Sequence, residues 1–323
     1  MMLKRLWKAL KQSFLDIFNK RILKLSAALA YYTLFSLPGL LIVIIWVSDI
    51  FYGHQIVEGA VYGQIATLIG PDAATQVQQT MSNAIVLSQS KIATIIGVTT
   101  LVFGASGIFG EIQDSINLIW NLKSKPKKGR GWLKLIVNRL LSFSMVISLG
   151  FLLLVSLLIN SLMDIFISKL TSVFPQTEVF VAYAVNLVLN FLITSFLFAL
   201  IFKVLPDAKI KWKHVRAGAF ATAALFMVGK FLIGLYLGQN RMTSIYGAAG
   251  SVILILLWVY YSAVILYFGA AYTRAYAIES GSNIYPNSYA VWTEEVEVQS
   301  QKSLQNHDAT KKVVEGAQQT NRE

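Results

Sequence analysis

The sequence predicts an all-α protein: a polytopic transmembrane helical bundle with six spanning helices and an N-terminal interfacial amphipathic helix. Three observations predict it. The 323 residues are 55% hydrophobic and only 14% charged, with a mean hydropathy of +0.59, which is too apolar for a soluble chain of this size. Apolar runs of about 20 residues, the length that crosses a bilayer, recur at 26–48, 92–112, 136–160, 179–202, 217–238 and 246–273. Between those runs the basic residues fall on alternate sides.

That alternation sets the threading. Lys4, Arg5, Lys8, Lys11, Lys20, Arg21 and Lys24 precede the first run. Lys123, Lys125, Lys127, Lys128, Arg130, Lys134 and Arg139 follow the second, and Lys203, Lys209, Lys211, Lys213 and Arg216 follow the fourth. The opposite connections hold little beyond Lys91, Lys169 and Arg241. Cytoplasmic loops are enriched in Lys and Arg, so both termini and both basic loops are expected in the cytoplasm. The net charge of +12 is therefore chiefly a topology signal, with attraction to anionic lipid headgroups as a second effect. The expected partners are the lipid bilayer and those headgroups, not nucleic acid.

Residues 1–24 read as a cytoplasmic amphipathic interfacial helix. Leu3, Leu6, Trp7, Leu10, Phe14, Ile17 and Phe18 recur at spacings of three and four, with Lys4, Lys8 and Lys11 off that stripe, the pattern of a helix lying in a membrane interface. The alternative is a cytoplasmic helix that packs the same stripe on the basic loops. Residues 25–278 form the six-helix domain. Its external connection, 49–91, has spaced apolar residues on both sides of Pro71-Asp72, enough for short amphipathic helices that cap the outer face. From 279 to 323 periodicity gives way to Gln, Ser, Asn, Glu and Lys, which predicts a disordered cytoplasmic tail.

Function is sought among polar groups inside the apolar runs. In the first, Pro38 lacks an amide hydrogen and crowds the carbonyl of Leu34, which predicts a kink. The freed carbonyls, with Tyr31 and Tyr32, suit a solute path, although neighbouring helices also satisfy such groups. Asn186, Asn190 and Thr194 share one face of the fourth run, which interhelical hydrogen bonding explains equally well. Lys230 lies within the fifth, where an unpaired ammonium costs about 2.5–3.5 kcal/mol. It needs a partner or water, or its stem snorkels to the outer interface. Gly104, Ala105, Gly107 and Gly110 give the inner half of the second run a small-residue surface for close helix approach. Glu111 and Asp114 follow at the cytoplasmic margin, as a gate or as ion-pair partners of nearby bases. Ile108, Ile112, Ile116 and Ile119 carry an apolar stripe onward, with Trp120 as its anchor.

Catalysis is not expected. There is no cysteine, and His54, His214 and His307 stand far apart without metal-ligand spacing, so no cofactor and no metal site are predicted. No cluster of His and Asp suits metal-assisted phosphodiester hydrolysis, which excludes a ribonuclease.

The blocks "SAALAYYTLFSLPGLL" (26–41), "FGASGIFGEIQDSINLIW" (103–120), "LPDAKIKWKHVRAGA" (205–219) and "YGAAGSVILILLWVYYSAVILYFGAAYTR" (246–274) resemble, in order, the recurring blocks of the YihY/BrkB family of bacterial inner-membrane proteins. The resemblance implies six spans in a bacterial cytoplasmic membrane and a transporter or channel for a small solute, ion or lipid, with no settled substrate. One block departs from the family, which often has an acid where this chain has Ala271; ion coupling through that acid does not carry over. The transport-path or gate candidates are Tyr31, Tyr32, Pro38, Glu111, Asp114, Asn190, Lys230 and Arg241. A non-transporting envelope scaffold is the alternative from a different class.

Overall fold

In the computed structural model the described residues are 2–51, 107–125, 178–239, 248–287 and 290–294, with isolated positions between 59 and 79. Six helices account for most of them. They are α1 (Met2–Asn19), α2 (Ile22–Phe51), α3 (107–119), α4 (Glu178–Val204), α5 (Trp212–Gln239) and α6 (Ala248–Glu279). Four of the six predicted runs coincide with α2, α4, α5 and α6. Three stretches are long and apolar enough to cross a membrane, Leu187–Val204, Trp212–Ile233 and Val252–Glu279, while Ile22–Ser36 is apolar but shorter. The third predicted span, the second before 107, nearly all of 49–91 and the chain beyond 294 lie outside the described residues.

Helix α6 is the central element, packed against α1, α2 and α5. Its contact with α5 is backbone-close. A Cβ at Gly218 would meet the Thr273 side chain, and one at Gly269 would meet that of Thr222. The two glycines and two threonines alternate across the seam, so each helix offers a small-xxx-small pair to the other. Both threonines fold back on their own helix, Thr222 Oγ1 donating to the Gly218 carbonyl at 2.7 Å and Thr273 Oγ1 to that of Gly269 at 2.8 Å. Position 218 faces 273 and 222 faces 269, so the helices run antiparallel.

The break between α1 and α2 falls at Lys20-Arg21, inside the arm assigned to 1–24. Arg21 adopts φ 53°, and its amide donates to the Phe18 carbonyl at 3.1 Å. Helix α1 packs by its small and polar side. Its buried side is Ala9, Ser13 and Asp16, whereas Trp7 and Phe18, 68% and 76% exposed, face outward. Asp16, at 3% exposure, accepts from Gln12 at 3.0 Å and pairs with Arg274 of α6 at 3.8 Å. Phe14 meets Phe268 of α6 edge-on, with ring centroids 5.1 Å apart.

The ends of the helices are tied together by short strands. Helix α6 stops at Gly281, φ +72°, where Gly281 N donates to the Ile278 carbonyl at 2.9 Å and Ser282 N to that of Ala277 at 3.0 Å. This double bond around a left-handed residue is the Schellman stop, and glycine adopts it without a Cβ penalty. The chain then folds back into β3 (Tyr285–Pro286), antiparallel to β2 (Ala208–Lys209) with Ala208 opposite Pro286. Strand β4 (Ala290–Trp292) pairs with β1 (Leu122–Ser124). Within the stretch 279–323 expected as a disordered tail, residues 282–287 and 290–292 are ordered, with Ile284 and Ala290 buried, because their backbone groups find strand partners that a composition argument does not see; the chain beyond 294 lies outside the described residues. The chain divides into Met1–Val291 and Trp292–Glu323, the second described only at 292–294.

Candidate functional site

Helix α3 supplies the polar residues. The predicted isoleucine stripe is buried, with Ile116 and Ile119 fully enclosed and Ile112 nearly so, and this fixes which side chains point inward beside it. Ser115 and Asn117 are buried too, while Asp114 and Leu118 face out. Past the last turn, Asn121 takes φ 58° and the chain enters β1.

The inward polar residues converge on Asp207, which is 3% exposed. Its Oδ1 accepts from Gln113 at 3.0 Å and its Oδ2 from Asn117 Nδ2 at 3.0 Å. Its amide donates to Asn117 Oδ1 at 2.9 Å, and its carbonyl accepts from the Asn287 amide at 3.0 Å. Through its carboxylate and its backbone, Asp207 thus joins α3, the α4–α5 turn and the segment after α6. Around it, Trp120 Nε1 donates to the Ala270 carbonyl at 2.9 Å, Lys20 Nζ to Asn121 Oδ1 at 2.6 Å and Lys203 Nζ to the Ile210 carbonyl at 2.5 Å. Residues from the N-terminal arm, the connection after the second run, that after the fourth and the post-α6 segment therefore share one end of the bundle.

A second polar cluster lies between α3 and α6. Ser115 Oγ donates to Glu111 Oε1 at 3.4 Å, a long bond, and both residues lie within interaction range of the Tyr267 hydroxyl. Tyr267 is fully buried, and its hydroxyl interacts with Ser115 without a hydrogen bond of good geometry among the described residues. A buried phenol so weakly partnered is costly, and Glu111, half-buried, puts a carboxylate beside it. This arrangement can hold a proton, a water or a small cation-bearing or hydrogen-bonding solute.

The sequence candidates are dispersed. Glu111 belongs to this cluster. Asp114, on the same helix, is exposed and makes contacts of its own. Tyr31 and Tyr32 are exposed on α2, with Tyr31 against Phe35 at a centroid distance of 4.7 Å; Tyr32 also lies against Gly107, where an added Cβ would sit 3.7 Å from its ring. Helix α2 is continuous through Pro38, whose side chain is outside the described set. Asn190 is half-buried in α4 and engaged, and Lys230 is exposed on α5. Arg241 lies outside the described residues. Ala271 is fully buried in the core beside these elements. Sequence reasoning missed Asp207, Gln113, Asn117 and Tyr267 as a group. One signal was present: Asp207 is the only acidic residue between Glu178 and Glu279.

A family model described as "Virulence factor BrkB" matches residues 14–289. The chain belongs to the BrkB family. Among BrkB-family relatives, it is 28% identical over 257 residues to a UPF0761 membrane protein of Haemophilus influenzae, covering 78% of this chain and 88% of the relative. It is 26% identical over 269 residues to one of Aggregatibacter aphrophilus, covering 82% of this chain and 90% of that relative. A longer UPF0761 membrane protein of Xanthomonas oryzae is 27% identical over 266 residues, which is 82% of this chain but 59% of the relative. No solved structure matches. These relatives and the apolar helices make this a membrane protein. The family match contains α3, the Asp207 turn, all of α6 and the start of the strand segment, so both polar clusters lie inside the shared region.

Proposed function

We propose that this BrkB-family chain crosses a bacterial inner membrane six times, with both termini cytoplasmic, and carries or conducts a small solute, ion or lipid. The observation that carries the transport reading is the buried, weakly partnered Tyr267 hydroxyl beside Glu111 and Ser115. Ionisable and polar groups within a bilayer-spanning bundle are expensive, and a scaffold built only for packing has no use for this one. Support for the threading comes from the shared end of the bundle, where Lys20, the start of the loop after α3, and the Lys203–Lys211 turn meet. Support for an interfacial α1 comes from its inverted packing: large apolar side chains face outward and a carboxylate faces inward, as suits a helix with lipid on its open side.

In this reading Glu111 and Tyr267 line the path near its cytoplasmic end, and the Asp207 network holds the helix ends that frame it. No covalent step is involved. The natural absence of cysteine makes the test direct. Single cysteines at Glu111, Asn190 and Lys230 are probed in sealed vesicles with a membrane-impermeant thiol reagent applied to each side. Transport predicts labelling at 111 and 190, and at 230 if its exposed side chain reaches the path. Protection at 111 and 190 from both sides contradicts a water-filled path and favours the envelope scaffold.

A further inference from the structure

The inverted docking of α1 leaves an apolar groove of about 660 Å³ between its first turns and the bundle. Leu6, Trp7 and Leu10 form one wall, Ala221 and Leu225 of α5 with Phe268 and Tyr272 of α6 the other. Two exposed lysines, Lys4 and Lys8, border it, and among the described residues no carboxylate lines it. They are one turn apart on the same helix face. The acid nearest in sequence, Asp16, is turned into the protein and paired with Arg274, so it does not neutralise them. An oily slot capped by paired ammonium groups matches one chemistry in particular: an acyl chain joined to an anionic phosphate headgroup.

We infer that this groove binds an anionic phospholipid, with one acyl chain between α1 and the α5–α6 pair and the headgroup phosphate held by Lys4 and Lys8. A zwitterionic lipid fits the slot equally well but adds a second cation at the rim. Basic residues at a membrane surface each contribute enough attraction that two of them give an about thirtyfold preference for the anionic headgroup. The inference rests on the proposed placement of α1 in the membrane interface, though not on which side of the membrane it occupies.

Trp7 in the groove wall is the reporter. The full chain is reconstituted in nanodiscs of phosphatidylcholine containing either brominated phosphatidylglycerol or brominated phosphatidylcholine, and the Trp7 share of the fluorescence is taken as the difference between wild type and Trp7→Phe. Both leaflets carry the same lipid, so orientation does not affect the outcome. Saturable quenching by the brominated phosphatidylglycerol at an about thirtyfold lower fraction than by the phosphatidylcholine supports the site. The Lys4→Gln/Lys8→Gln variant then loses the preference, and Ala221→Phe, which fills the slot, loses the saturable component. Equal quenching by the two lipids overturns the site while leaving α1 in the interface. No quenching by either shows that α1 is not in the bilayer and overturns the site together with that placement. An unchanged preference in Ala221→Phe also overturns it, because the lysines then act as loose surface charge.

Discussion

Replacing Gly218 with alanine tests the closest approach in the bundle. The new Cβ would collide with Thr273 Oγ1 and sit 2.9 Å from its Cβ and 3.2 Å from its Cα. The last of these is backbone, which no rotamer change relieves. Overpacking of this kind costs roughly 1–3 kcal/mol, and the better helix propensity of alanine returns about 0.8–1 kcal/mol. With backbone in the way the cost falls at roughly 2–3 kcal/mol, so the expected net loss is about 1–2 kcal/mol. Gly110 of α3 is the control, since a Cβ there meets nothing within 4 Å. Gly110→Ala should therefore leave stability unchanged or raise it by up to about 1 kcal/mol through helix propensity. Thr273→Ala in the Gly218→Ala background removes the hydroxyl but keeps the 2.9 Å Cβ contact, so it should rescue only part of the loss, with a coupling of roughly 0.5–1.5 kcal/mol. Reversible unfolding in mixed micelles of increasing dodecyl sulfate content, followed by helicity, measures wild type, the three single variants including Thr273→Ala, and the double variant. A Gly218→Ala variant as stable as wild type, or one indifferent to Thr273→Ala, would refute the close antiparallel seam.

Three further predictions concern the polar ties. Asp207→Ala removes the acceptor of both Gln113 and Asn117, and two hydrogen bonds to a charged group at roughly 1.5–3 kcal/mol each predict a loss of about 3 kcal/mol or more in the same unfolding assay; Asp207→Asn, which keeps the shape, should lose less. Asp16→Ala strips Arg274 of its partner, a change costing about 3 kcal/mol for a buried pair and less here because Arg274 is 21% exposed. Its signature is local: a cysteine placed at buried Ser13 should react faster with a thiol reagent once α1 loosens. Trp120→Phe deletes the bond to the Ala270 carbonyl and should cost about 1 kcal/mol, again read by unfolding.

The run of apolar residues and the charge alternation made the helices legible because both are local averages. Residues 178–204, 212–239 and 248–279 fold as helices close to the bounds the hydropathy suggested. Which residues of α1 meet the bundle was not legible, because the apolar stripe marks only the side suited to a membrane interface; Ser13 and Asp16 point in while Trp7 and Phe18 point out. Tertiary polar pairings were hidden for another reason: Asn117 and Asp207 are 90 residues apart, and no periodicity links them. Glu111 was picked out by its position at the edge of an apolar run, but Tyr267 was not, since one more tyrosine in an aromatic-rich span looks like packing. The strands at 285–286 and 290–292 were missed because a two- or three-residue strand has no alternation to detect.

All of these readings depend on how the chain is threaded. A dual reporter, active as a phosphatase only outside the cytoplasm and as a fluorescent protein only within it, fused separately after residue 323 and within the 49–91 connection, measures that threading. Fluorescence at the first position and phosphatase activity at the second are the predicted results. Phosphatase activity at the C-terminal fusion would contradict the six-span account and reverse or remove the proposed cytoplasmic mouth at Glu111.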